Sequence, residues 1–249
     1  MTTFRTLLIG FTGSILICIP VYQWIMHYKF SVFPLGWAAA GLNYTATFFH
    51  EIGHTLAAWF YGYPTLPMFD FTHGGGMSVS FSDSNTIILA CVWGLLAYGI
   101  YHFRTYKMLS AILALLLALN LSTFSNHNLH MSVIDFAGPG FEALIAGFFL
   151  FRAIFNLAPR GSFERILNAI FGFGLIFRIF IEFYALLHSE VHRLLYYTQK
   201  GSHGFGDFDK IADRFYGLSF ETVIYSWTAL TFICLALPFT LLFFSKTKH

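Results

Sequence analysis

The chain has 249 residues, 57% of them hydrophobic, 20% aromatic and only 10% charged, with a formal net charge of +2. A soluble domain carries roughly a quarter of its residues as charged groups, so this balance excludes one and points to a membrane protein. The small net charge, without any basic cluster interleaved with aromatics, excludes a nucleic-acid surface. Cys18, Cys91 and Cys234 lie scattered without paired spacing, which excludes a disulfide framework and a thiolate metal site.

Apolar runs of about 20 residues, the length that crosses a bilayer as a helix, lie at roughly 5–26, 35–61, 85–103, 107–125, 131–153, 163–187 and 221–244. They predict an all-α polytopic membrane protein with about seven transmembrane helices in a single integral membrane domain. The first run follows Arg5 without a small-residue cleavage site, which predicts a retained span rather than a signal peptide.

The second run is split by Asn43, Thr45 and Thr47, as suits a helix that faces protein, and then reads His50-Glu51-Ile52-Gly53-His54. Positions i and i+4 of a helix share a face, so His50 and His54 can offer two imidazole nitrogens to one metal ion. Glu51 stands about 100° around the helix, within reach of a water at that metal. Zinc lowers the pKa of such a water toward about 7, and a neighbouring carboxylate can take the proton and pass it to a leaving amine. Ionisable groups in an apolar segment are costly unless they serve a function. The pentad therefore predicts one zinc per chain, held by His50 and His54, with Glu51 as general base.

The segment 63–81 contains Pro64, Pro67 and the consecutive Gly74, Gly75 and Gly76, which rule out a regular helix. It predicts an irregular or re-entrant segment that is shielded by protein or lines a wet cavity. The glycines either form a tight loop or let an extended substrate strand pair through main-chain groups. His73 beside them is a candidate for metal binding or for stabilising an oxyanion. The longest hydrophilic stretch, 188–220, predicts a polar extramembrane loop.

Seven spans would place Lys29, Arg104, Lys107, Arg152, Arg160, Arg165, Lys246 and Lys248 on one side, against Arg5, Arg193, Lys200, Lys210 and Arg214 on the other. The richer side is expected to be cytoplasmic. The opposite side collects His54, His73, His127, His130, His188, His192 and His203, and the pentad end of its helix is expected there. Among its acids, Asp207 in a glycine-rich stretch is the first candidate for a third ligand, with an N-cap role as the alternative. Glu142, one or two turns into a span, is the second, with pairing to a buried histidine as its alternative. Asp135 reads as a solvated interfacial acid. Glu182, four residues after Arg178, reads as its ion-pair partner.

The pentad in a membrane helix, the glycine-rich segment after it and Ala137-Gly138-Pro139 resemble the site-2 protease family of intramembrane zinc metalloproteases, mainly over residues 40–82. The resemblance implies zinc ligation by His50 and His54, a base role for Glu51, a β-like segment that holds substrate, and an aspartate ligand from a later helix. It implies as substrate a membrane protein or membrane-proximal peptide in the lipid bilayer. The family's Asn-x-x-Pro and Leu-Asp-Gly motif is absent. Asn156-Leu157-Ala158-Pro159 is followed by Glu164, which falls in a basic loop away from His54. Two rival readings stand beside this one. His127-x-x-His130 and His188-x-x-x-His192 resemble, with the pentad, the histidine boxes of di-iron membrane hydroxylases and desaturases, although such centres need about eight ligands. A protease-like fold can also act as a catalytically inactive binding module.

Overall fold

The computed structural model describes residues 2–26, 34–70, 75–199 and 206–246. His73, Gly74 and His203, with Lys29, Lys200 and Lys248, lie outside the described residues. The seven apolar runs are all helical: α1 (Thr3–Ile25), α2 (Leu35–Phe60), α3 (Thr86–His102), α4 (Lys107–Thr123), α5 (His127–Ile154), α6 (Ser162–His188) and, near the C-terminus, Phe220–Lys246.

They are not seven spans. Among the described residues, four helices are long and apolar enough to cross a membrane, namely α1, α5, α6 and the C-terminal helix. At 17 residues each, α3 and α4 are about 25 Å long, short of the roughly 30 Å hydrocarbon core. α2 has the length, but its polar residues cost it the apolarity.

Two further corrections concern the segments between them. The stretch predicted to be irregular is an antiparallel hairpin, β1 (Thr65–Asp70) paired with β2 (Gly75–Ser80), set into a fold that is otherwise helical as expected among the described residues. Phe81 N–H donates to the carbonyl oxygen of Pro64 at 2.9 Å, and Thr65 stands opposite Ser80, Pro67 opposite Ser78 and Phe69 opposite Gly76. Hydrogen-bonded and non-bonded pairs alternate along an antiparallel ladder. Pro67 therefore falls in a non-bonded pair, where its missing N–H removes no ladder bond. The predicted polar loop 188–220 contains two short amphipathic helices, α7 (Glu190–Gln199) and α8 (Asp207–Arg214), before α9 (Phe220–Lys246).

Small residues set the helix packing, as in membrane bundles generally. α1 lies beside α6 with Gly10 against Ala169, the Ser14 hydroxyl on the Ile170 carbonyl at 2.8 Å and Cys18 Sγ on the Gly174 carbonyl. These contacts ascend together, so the two helices are parallel. The Arg165 guanidinium donates to Thr3 Oγ1 at 2.7 Å and to the carbonyls that end α5, Ala153 at 2.6 Å and Ile154 at 3.1 Å. Arg5 thus shares an end with Arg165, whereas the alternation of seven spans put them on opposite sides. α5 runs against α6 and α2, and α9 runs alongside α5 with Trp227 Nε1 on the Pro139 carbonyl at 2.9 Å.

Candidate metal centre

α2 carries His50 and His54 one turn apart, with their Nε2 atoms 3.1 Å from each other. Asp207 Oδ2, from the first residue of α8, lies 3.1 Å from His50 Nε2 and 3.6 Å from His54 Nε2. In a tetrahedral zinc site with ligands about 2.0–2.1 Å from the metal, ligand atoms stand about 3.3–3.4 Å apart. The triangle fits that spacing. Among the described residues this is the one group of three that could hold a metal ion. Two imidazoles and a carboxylate also match the three-ligand set of a catalytic zinc site, which leaves the fourth position open.

The surrounding bonds point the lone pairs inward. His54 Nδ1 lies 2.8 Å from the Ile134 carbonyl oxygen. A carbonyl only accepts, so Nδ1 carries the proton and a neutral His54 turns its Nε2 lone pair toward Asp207. α5 comes this close because of Gly138: a Cβ there would collide with the His54 ring. On the far side of His50, Nδ1 faces Glu142 Oε2 at 3.9 Å. Glu142 therefore sits behind His50 and not with the three converging atoms, and its other oxygen accepts from Arg178 at 2.6 Å. Arg178 also donates to Asn43 Oδ1 at 2.9 Å.

Glu51 is 6% exposed. The Ser78 hydroxyl of β2 lies 2.9 Å from its main-chain carbonyl oxygen and 3.1 Å from its Oε2. Gly76 permits this seat, since a Cβ there would come within 2.6 Å of Glu51 Cγ. Glu51 lines a cavity of about 340 Å³ together with His50, His54, Ser78 and Asp207. A second cavity of about 210 Å³, reaching toward Glu142, Arg178 and Trp227, shares His50, Glu51 and Gly76 with it.

Of the acids weighed from sequence, Asp135 and Glu182 differ from their reading, and Asp207 loses its alternative one. Asp207 is not an N-cap, because Gly206 holds that position. Asp135 is buried and paired with Arg214 rather than solvated. Glu182 pairs with His192 at 3.0 Å, while Arg178 has crossed to Glu142. Glu164 sits with Arg152 at 2.5 Å, away from the histidines.

Among the described residues, the remaining histidines do not join the centre. His130 bonds the Tyr63 hydroxyl at 2.9 Å and the Phe124 carbonyl at 3.0 Å, and His188 stacks on Tyr184. A three-box iron centre is thus not assembled among the described residues. Ser78 and the Ile134 carbonyl were not singled out from sequence, and Arg178 was read only as the partner of Glu182. For Ser78 a signal existed: Gly76, Ser78 and Ser80 recur with the period of two that puts small polar residues on one face of a strand.

No protein-family model, no curated protein and no solved structure matches the chain.

Proposed function

We propose that the protein is a membrane-embedded zinc-dependent hydrolase of the site-2 protease type that cleaves a peptide bond in a membrane protein or membrane-proximal peptide. The observation that carries this reading is the convergence of His50 Nε2, His54 Nε2 and Asp207 Oδ2 in the cavity that Glu51 lines. Zinc, when bound, supplies a Lewis acid that polarises a carbonyl and brings the pKa of a water toward about 7. Glu51 accepts the proton of the attacking water and delivers it to the leaving amine. Ser78 holds the Glu51 carboxylate in place for both transfers.

The hairpin favours a polypeptide over a lipid ester. In the alternating ladder, Gly76, Ser78 and Ser80 turn their main-chain N–H and C=O groups away from β1. On the outer edge of β1, Pro67 lacks an N–H and the Thr65 carbonyl accepts from Trp59 Nε1 at 2.7 Å. The β2 edge is the one equipped to pair with an extended segment, which a helix entering from the bilayer becomes once it unwinds.

The deciding experiment is elemental analysis of detergent-purified protein beside the His50→Ala, His54→Ala double variant and Glu51→Gln. About one zinc per chain is expected in the wild type and in Glu51→Gln, and none in the double variant. Two irons would support the hydroxylase reading instead, and no metal a binding module.

A further inference from the structure

The three ligand candidates have unequal footing. His50 and His54 ride on a 26-residue helix inside the bundle, whereas Asp207 begins an eight-residue helix. A helix that short does not hold its shape or place alone in water. Its position is imposed from outside, and two arginines supply the grip.

Arg214 lies seven residues after Asp207, almost two full turns, and therefore on the same face of α8. It pairs with Asp135 of α5 and lies 3.4 Å from Ser132 Oγ. Asp209, about 200° around from Asp207, is 3% exposed. It takes two bonds from Arg193 of α7, at 2.6 Å and 3.1 Å, the fork geometry that fixes orientation as well as distance. The Arg193 guanidinium in turn lies 3.6 Å over the Phe220 ring at the start of α9. Between the two grips, Phe208 and Ile211 are buried in the cluster with Tyr196 and Trp227. Lys210 Nζ approaches Asp207 Oδ1 at 3.3 Å, on the oxygen that does not face the histidines.

Resting on the zinc-site reading above, we infer that Arg193 and Arg214 are positioning residues for the metal centre: their ion pairs with Asp209 and Asp135 hold α8 so that Asp207 completes the site. Neither arginine touches the converging atoms. Both act by placing α8, the helix that carries Asp207.

The test is a double-mutant cycle on zinc affinity in the purified full chain, read by competition with a chromogenic chelator. Arg193→Gln and Arg214→Gln should each weaken zinc binding about 10–100-fold, the usual cost of losing an outer-shell partner. In an Asp207→Ala background the same changes should cost less than about 2-fold, because the ligand they position is already gone. Cobalt-loaded Arg193→Gln should show a weaker visible band than cobalt-loaded wild type, as a lost protein ligand is replaced by water. The Arg→Lys variants guard against misfolding, and are expected to retain metal with an intermediate loss. Equal losses in both backgrounds, or wild-type affinity in the Gln variants, would overturn the inference while leaving the metal centre standing. Wild-type protein that binds no zinc would overturn both.

Discussion

His54 donates its Nδ1 hydrogen to the carbonyl oxygen of Ile134, 2.8 Å away, and that bond decides which of its nitrogens faces Asp207. The contact depends on α5 lying against α2 where Gly138 has no side chain. Gly138→Ala is expected to push the ring off the carbonyl and weaken zinc binding at least 10-fold. Overpacking should also lower stability by about 1–3 kcal/mol. A chelator competition and a thermal melt measure the two effects separately.

Glu51 and Ser78 separate chemistry from binding. Glu51→Gln keeps the shape and loses the proton acceptor, so turnover of a cleavable membrane peptide should fall by about 10²–10⁴-fold with zinc content unchanged. Ser78→Ala releases the carboxylate without removing it and should cost less. Turnover by Glu51→Gln at the wild-type rate would exclude the carboxylate as base.

Arg178 and Glu142 form a pair buried between α5 and α6, 2.6 Å apart. Arg178→Met leaves a carboxylate without its countercharge and should destabilise the protein by about 3–5 kcal/mol. Adding Glu142→Leu should recover much of that loss, since neither charge then remains to be compensated. Denaturation in mixed micelles distinguishes the single from the double variant.

His192 predicts a pH dependence of stability. Burial lowers its affinity for a proton, but the hydrogen bond and charge of Glu182, with the Ile25 main chain, outweigh it and raise its pKa above the ordinary 6.5. A raised folded-state pKa means that the contribution is fully present below about 6.5 and fades as pH rises through the folded value. Replacing His192 with Gln should therefore lower the melting temperature more at about pH 5.5 than at about pH 9. A gap that stays constant across that range would show the pair to be uncharged.

Helices were legible in this chain because apolar runs announce them locally, and His50 with His54 because four residues is a local spacing. Relations between elements were not. The i, i+4 rule paired Arg178 with Glu182, yet across the α5–α6 interface Glu142 came closer and took the guanidinium. Asp135 read as solvated because nothing near it in sequence announces Arg214, 79 positions later, folding back over it. Proline and glycine marked 63–81 as non-helical, but a ladder needs a partner, and the pairing of Thr65 with Ser80 is a property of two segments together. Placing Arg5 opposite Arg165 failed for the same reason: counting crossings assumes that every apolar run crosses, whereas four helices among the described residues have the length and apolarity to do so, and α1 lies parallel to α6.

That contact also carries a clock. The Ser14 hydroxyl meets the Ile170 carbonyl across 156 residues of chain, and at translation rates of about 5–20 residues per second the ribosome needs roughly 8–30 s to deliver the second partner after the first. Throughout that interval the small-residue face of α1 is without its α6 partner. The Ser14 hydroxyl also lies 2.7 Å from the Gly10 carbonyl on its own helix, a partner that needs no other segment to be made.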